Sequence, residues 1–363
     1  MRNIYGFALL REGRYDEALK QFDEYIRLAP NEPNTYDSMG DAYVFAGDPE
    51  PALVKYAEAL THDPTFLISH RGRALALAQL GRFDEALDDA AKVTDLSARG
   101  GLSTAEPRIV TAFLLSRVGR VAAAHTEIAA GLDDARRLSD GYAEAALRTL
   151  GAWLALEAGR PVVARSEALR ARATAASLGG LRSAQMEAIA LHFAGLADLR
   201  DQRDVAHGRL AAMPRVTPPD TDVTYWVGAL EGEIALSAGD LDAADRAFAA
   251  ALPANKMPFG DFQAILSIFG NELPSRDGPA RIRIARGDRA GAIAEYRSLL
   301  TPSRTRRFTC VLEPRYVLAL ARLLNQTGDA AGARAQYERF LALWHAADTN
   351  LPELEEAKRE LKR

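Results

Sequence analysis

The histidines and the single cysteine are the side chains of this chain best suited to metal binding or catalysis. Residues that share a metal or act as a catalytic pair often recur at short spacings, such as H-E-x-x-H on a helix or C-x-x-C in a turn. The histidines lie far apart, at His62, His70, His125, His192, His207 and His345. We therefore interpret them as surface or packing residues, and we predict no metal and no cofactor.

Cys310 follows a basic stretch that contains Arg304, Arg306 and Arg307. Positive charge beside a thiol lowers its pKa and makes it reactive, so redox sensing is one interpretation of this segment. A loop of solvated arginines beside a half-buried thiol is the simpler one. The same arginines could bind a phosphate or an acidic tail, although exposed charge before a helix usually serves solubility. One cysteine cannot form an internal disulfide, so we predict a reducing, cytoplasmic location.

Motifs of the common enzyme classes are missing from the sequence, including G-x-S-x-G and the phosphate-binding glycine loop that ends in Lys-Ser/Thr. The net charge is -4, from 45 basic and 49 acidic side chains. This balance gives no general attraction to nucleic acid or to anionic membranes. No run of 18 apolar residues occurs that could span a bilayer. We predict a protein that is not an enzyme and binds neither nucleic acid nor membrane.

A repeat of 34 residues organises the first part of the chain, where REGRYDEALKQF, FAGDPEPALVKY and QLGRFDEALDDA align without gaps. Each segment has a glycine, an alanine five residues later and a small residue seven residues earlier. These are Gly13, Gly47 and Gly81, then Ala18, Ala52 and Ala86, then Gly6, Gly40 and Ala74. The glycine should end a first helix with positive φ, and the small residues should let two helices approach closely. Pro30 and Pro64 should end the second helix.

The second of these units resembles the tetratricopeptide repeat family. The matching positions are Tyr36, Met39, Gly40, Tyr43, Gly47, Ala52, Tyr56, Ala59 and Pro64. The same glycine and alanine spacing recurs at Gly119/Ala124, Gly159/Ala164, Gly239/Ala244, Gly287/Ala292 and Gly328/Ala333, and a degenerate unit without the glycine surrounds Asp201 and Ala206. The resemblance implies an all-α, right-handed superhelical solenoid of about nine helix-turn-helix hairpins. The C-terminal part is also similar to repeat tails of bacterial signalling proteins, which follow a kinase, cyclase or transcription-regulator domain.

The repeats suggest a division of the chain into five parts. We predict a regular array over 1–100, degenerate hairpins over 101–212, a proline-rich linker at 213–223, further hairpins with an inserted apolar helix near 258–270 over 224–349, and a capping helix at 350–363 with Asn350 as its N-cap. The sequence begins inside a first helix, which leaves Ile4, Tyr5 and Ala8 uncovered. We therefore expect an attached N-terminal effector domain that this chain lacks, with a frayed terminal helix as the alternative.

In the family that this sequence resembles, ligands bind in a concave groove lined by the first helices. The residues at the corresponding positions are Asn3, Phe7, Leu10, Asp37, Asp41, Val44, Arg71, Leu75 and Ala78, with Trp153 and Trp226 in later units. Members that clamp a C-terminal carboxylate use Lys, Asn and Arg at several of these positions, and Phe7, Asp37 and Asp41 depart from that pattern.

The acidic pair together with Arg71 indicates a mixed groove suited to a basic or amphipathic segment. The alternative is that these aspartates occupy exposed helix positions and have no binding function. We predict a scaffold that binds a peptide or helical segment of a protein partner. The alternative is a sensory module of a bacterial signalling protein that binds a small ligand.

Overall fold

The structure is a computed structural model that describes residues 1–216, 221–251, 275–302 and 311–363. These residues form 19 α-helices and no β-strand. The helices are α1 (Arg2–Arg11), α2 (Tyr15–Leu28), α3 (Pro33–Phe45), α4 (Pro49–His62), α5 (Leu67–Gln79), α6 (Phe83–Arg99), α7 (Ala105–Arg117), α8 (Val121–Arg137), α9 (Gly141–Glu157), α10 (Pro161–Ala176), α11 (Gly180–Asp201), α12 (Arg203–Ala211), α13 (Thr221–Ala238), α14 (Leu241–Ala251), α15 (Gly278–Ala285), α16 (Arg289–Leu299), α17 (Pro314–Gln326), α18 (Ala330–Leu343) and α19 (Pro352–Glu360).

Within the described ranges, eight pairs of successive helices pack against each other as hairpins, and α19 packs against α18. The pairs are α1/α2, α3/α4, α5/α6, α9/α10, α11/α12, α13/α14, α15/α16 and α17/α18. This architecture confirms the predicted all-α solenoid of helix-turn-helix units. The degenerate sixth unit is also a hairpin, because α11 and α12 pack against each other although no glycine separates them.

A glycine follows the first helix of each repeat unit except the sixth, as the repeat predicts. The eight turn glycines have φ between 66° and 85°, a region that L side chains rarely adopt. They are Gly13, Gly47, Gly81, Gly119, Gly159, Gly239, Gly287 and Gly328. The sequence therefore places each of these turns by a backbone requirement that few other residues satisfy.

Close helix approach explains the small residues of the repeat. A Cβ added to Gly6 would lie 2.6 Å from Cζ of Phe22, and one added to Gly40 would lie 2.7 Å from Cε1 of Tyr56. Each glycine thus makes room for an aromatic ring from the second helix of its own hairpin. Phe22 and Tyr56 are almost fully buried, and burying such a side chain stabilises the fold by roughly 1.5–3 kcal/mol.

The described residues divide into two compact units. Unit 1 contains residues 1–114, 300–302 and 311–313, and its first hairpin is centred on Phe7 and Phe22, whose ring centroids are 5.1 Å apart. Unit 2 contains residues 115–216, 221–251, 275–299 and 314–363. One of its core clusters joins Leu191 of α11 to Leu230 and Ile234 of α13.

Several predicted features lie outside the described residues, namely Cys310, the arginines at 304, 306 and 307, the insert at 258–270 and positions 217–220 of the linker. The C-terminal helix forms within its predicted range, but its predicted N-cap is wrong. Leu351 occupies that position with extended φ and ψ, and no side chain there accepts a hydrogen bond from the helix. Pro352 starts the helix instead, since its fixed φ suits the first turn. Among the described residues, no helix is long and apolar enough to cross a membrane.

Candidate functional site

A longer helix α6 borders the main candidate site of unit 1. Helices α2 and α4 have 14 residues each and stop two residues before Pro30 and Pro64. The repeat would place a third proline at position 98, but this residue is Ala98, and α6 continues for 17 residues to Arg99. The last turn of α6 therefore extends the wall that faces the start of α7.

The resulting cavity, which we call the α5–α6 pocket, has a volume of about 330 Å³. Its lining is mostly apolar. Helix α5 contributes Leu67, Ile68 and Arg71, helix α6 contributes Ala90, Val93 and Ser97, and the segment that follows contributes Leu102, Ser103, Glu106, Pro107 and Val110. Leu102 and Ile68 are 57% and 38% exposed, so the pocket opens to solvent beside large apolar side chains.

An ion pair forms the polar part of this pocket. The guanidinium of Arg71 lies 3.4 Å from a carboxylate oxygen of Glu106, and both side chains are partly exposed. Surface pairs of this kind contribute little to stability, roughly 0–1 kcal/mol. Such pairs orient a bound ligand more than they stabilise the fold.

Asp37 and Asp41 lie one turn apart on α3, and both are buried rather than exposed. The hydroxyl of Ser69 donates to Asp37 at 2.6 Å, and the hydroxyl of Tyr56 donates to Asp41 at 2.7 Å. Burial raises the pKa of Asp37 to about 6, although the Ser69 hydrogen bond and the charge of Arg71 oppose the shift. Burial, assisted by the charge of Asp37, also raises the pKa of Asp41. The two carboxylates favour any additional positive charge that comes near them.

The structure brings only some of the predicted groove residues to a surface. Asn3, Val44, Arg71 and Leu75 are partly exposed. Leu10 and Ala78 are 1% and 0% exposed and offer a ligand almost no surface. Phe7, Asp37 and Asp41 are also buried, and the carbonyl of Ala78 accepts a hydrogen bond from the amide of Leu312 in the same unit.

The two tryptophans of unit 2 that the sequence suggested as groove residues are also buried, Trp153 at 4% and Trp226 at 1% exposure. The guanidinium carbon of Arg117 lies 4.7 Å from the centre of the Trp153 ring. His192 packs edge-on against Trp226, with ring centroids 4.9 Å apart. Both tryptophans therefore pack against other side chains of unit 2.

Sequence reasoning missed most of the α5–α6 pocket, because it assigned ligand contacts to only three inward positions of each first helix, of which Arg71 alone lines the pocket. The absent proline at position 98 was the signal that could have revealed it. Sequence reasoning also missed the buried group of Asp89 with Arg73 and His70, at 2.6 Å and 3.0 Å. Among the described residues, no group of three histidine, cysteine, aspartate or glutamate side chains could hold a metal ion.

Comparison with known proteins gives one family match. A sequence model of the tetratricopeptide repeat matches residues 1–33 and 38–99. The photosystem I assembly protein Ycf3 of Prochlorococcus marinus is 33% identical over 109 residues, which cover 26% of this chain and 62% of that protein. The chain thus spans less than two thirds of the length of that relative.

Solved structures resemble this chain over most of its length at low sequence identity. A Rap protein in complex with competence and sporulation factor has a TM-score of 0.53 and 13% identity, covering 95% of this chain and 81% of that one. A tetratricopeptide repeat protein of Parabacteroides merdae has a TM-score of 0.30 and 12% identity, covering 99% and 96%. The similarity to the Rap protein supports the fold.

Proposed function

The chain is a tetratricopeptide repeat protein over its first 99 residues, and on that premise we propose that unit 1 binds an amphipathic segment of a protein partner in the α5–α6 pocket. Repeats of this family imply protein partners and an interaction scaffold. The observation that carries the proposal is the apolar cavity of about 330 Å³ with exposed leucine and isoleucine side chains at its opening. Exposed apolar surface around a concave pocket is typical of interaction sites.

Charge defines the second feature of the proposed partner. Arg71 pairs with Glu106 in the pocket. Its charge also acts on the two aspartates of α3, where it opposes the increase in pKa that burial causes. When Arg71, Glu106 and the two aspartates are all ionised, the net charge of these four side chains is negative. A basic side chain of the partner would compete with Arg71 for Glu106. We therefore propose a segment with an apolar face and at least one lysine or arginine.

This function involves no catalytic step, and two relatives agree with it in general terms. Ycf3 is named for the assembly of photosystem I, and the Rap structure contains a bound factor. Their partners are not those of this chain. A cytoplasmic location is likewise a proposal that follows from the sequence.

The test compares three substitutions of exposed apolar residues by glutamate. Ile68→Glu and Leu102→Glu place a carboxylate at the opening of the α5–α6 pocket, and Val54→Glu makes the same change on α4, away from its lining. All three residues are at least 38% exposed, so each change should alter stability by less than about 0.5 kcal/mol.

Peptides selected by the parent protein from a displayed random library are then titrated against each variant. We expect Ile68→Glu and Leu102→Glu to weaken binding by about tenfold or more, because burying a carboxylate in an apolar site is costly. Val54→Glu should bind like the parent. Equal binding to all three variants would show that the partner segment binds elsewhere.

A small ligand is the second candidate occupant. The pocket volume lies at the lower end of the roughly 300–1,000 Å³ found for small-molecule sites. A ligand that fills the pocket should raise the melting temperature of the parent and of Val54→Glu, but not that of Ile68→Glu. If no compound in a broad metabolite collection produces this pattern, the sensory function loses its support.

A further inference from the structure

In unit 2, residues near the C-terminus contact a turn more than 220 residues earlier. The indole N–H of Trp344 donates to the carbonyl of Arg117 at 2.8 Å, and the amide of Asp348 donates to the carbonyl of Gly119 at 3.0 Å. Trp344 is 1% exposed. A Cβ added to Gly119 would lie 2.8 Å from Cβ of Ala347 and 3.0 Å from the Trp344 ring. The two segments therefore fit closely together, and we call this contact the Trp344 latch.

Asp348 also caps a helix to which it does not belong. Helix α8 starts after Arg120, whose side chain makes no capping hydrogen bond. The carboxylate of Asp348 accepts a hydrogen bond from the amide of Ala122, in the first turn of α8, at 2.8 Å. Where a helix has such a cap, the side chain usually belongs to the N-cap residue of that same helix. The start of α8 thus depends on a residue from the other end of the unit.

Charged side chains extend the latch to α9 and α17. Glu157 accepts two hydrogen bonds from Arg117, at 2.8 Å and 2.9 Å, and lies 3.2 Å from Arg315. The guanidinium carbon of Arg315 lies 5.3 Å from the centre of the Trp344 ring. One carboxylate therefore joins an arginine before the α7–α8 turn to an arginine of the C-terminal hairpin.

These contacts connect the two ends of unit 2. From α8 to α19, each described helix packs against its neighbour in the chain, and the Trp344 latch connects the end of this series to its beginning. The helices on either side of the latch have other contacts, α8 with α9 and α17 with α18. Breaking the latch would therefore leave the hairpin cores buried, as expected for repeats that contact only their neighbours.

We propose that the Trp344 latch opens and closes while the hairpins remain folded, so that unit 2 exchanges between a closed and an open form. The closed form is the one described here. In the open form, the amides of Ala122 and Asp348 lose their hydrogen-bond acceptors and become free to exchange with solvent. Opening also exposes Trp344 and separates Arg315 from Glu157.

Two glycine substitutions test this proposal. Gly119→Ala adds a methyl group that collides with Trp344 and Ala347, and it also strains a backbone with φ of 73°. Gly159→Ala introduces a similar strain, at φ of 66°, but no atom lies within 4 Å of the added Cβ. Comparison of the two variants distinguishes disruption of the Trp344 latch from the backbone strain of alanine at a positive φ.

Amide hydrogen exchange is measured for both variants and the parent. We expect Gly119→Ala to increase the exchange rates of the amides of Ala122 and Asp348 by on the order of tenfold, because the added methyl group overpacks the contact and destabilises the closed form. Gly159→Ala should leave these two amides unchanged, and the amides of α11 and α13 should be alike in all three proteins. Unchanged exchange at Ala122 and Asp348, or equal acceleration throughout unit 2, would overturn the proposal.

A second pair of variants covers the case in which Gly119→Ala does not fold. Asp348→Ala removes the distant cap of α8, and Asp329→Ala removes a local cap, since Asp329 accepts from the amide of Gly332 in α18. Only Asp348→Ala should accelerate exchange at Ala122, by about fivefold for the loss of one cap. Acceleration by both variants, or by neither, would contradict an independent latch.

Discussion

His192 should make the stability of unit 2 fall in mild acid. The side chain is fully buried between aromatic rings of α11 and α13, 4.9 Å from the Trp226 centroid. Burial lowers the pKa of His192 to about 4, because an imidazolium would lose its hydration, although the carboxylate of Glu233 opposes the shift. In the unfolded chain the pKa returns to about 6.5. The unfolded state therefore binds a proton at a pH where the folded state does not.

The sign and size of the effect follow from this difference. Above pH 6.5 the imidazole is neutral in both states, and its contribution to stability is fully present. As the pH falls from 6.5 to 4, that contribution is lost, and at pH 5 the loss is about 2 kcal/mol. Phenylalanine at this position does not titrate and keeps an aromatic ring against Trp226.

Urea unfolding of the parent and of His192→Phe at pH 7.5 and pH 5.0 measures the effect, followed by tryptophan fluorescence. The comparison at pH 7.5 gives the cost of the substitution itself. We expect the parent to lose about 2 kcal/mol more than the variant between the two pH values. If the two proteins lose the same amount, His192 is not buried and neutral, and the assignment is refuted.

Two further predictions concern packing and buried charge. Gly40→Ala should destabilise unit 1 by about 1–3 kcal/mol in urea unfolding, because its Cβ would lie 2.7 Å from Tyr56, whereas Gly208→Ala, with no atom within 4 Å, should stabilise its helix by roughly 0.5–1 kcal/mol. Arg73→Ala should cost about 3 kcal/mol in urea unfolding at pH 7, since Asp89 is 2% exposed and would keep only His70 at 3.0 Å and the exposed Lys92 at 3.6 Å; a loss below about 0.5 kcal/mol would contradict the importance of this pair.

The helical hairpins could be predicted from the sequence because each depends on local rules. A glycine with positive φ ends the first helix, and an alanine such as Ala18 or Ala52 lies where two helices meet, fully buried. These requirements repeat with the chain, so alignment alone locates them. The sixth hairpin could be found without its glycine because Ala206 is buried at the expected position.

The candidate site was less predictable, since it depends on departures from the repeat and on contacts between distant residues. Ser97, which lines the pocket, lies in a part of α6 that α2 and α4 lack, and only comparison of Ala98 with Pro30 and Pro64 reveals this extension. Asp37 and Asp41 were predicted to line a groove, but nothing in their types shows that both are buried or that Ser69 and Tyr56 donate to them.

The cap that Asp348 provides for α8 has a consequence for the order of folding. During synthesis, the ribosome makes Ala122 long before Asp348, so α8 must form its first turn without this hydrogen bond. Hairpins formed from local contacts fold rapidly, whereas a contact across 226 residues carries a large loop-closure entropy. We expect the latch to form last, after the C-terminal hairpin has left the ribosome. Refolding of the intact protein should then show a slow final phase that Asp348→Ala weakens or removes.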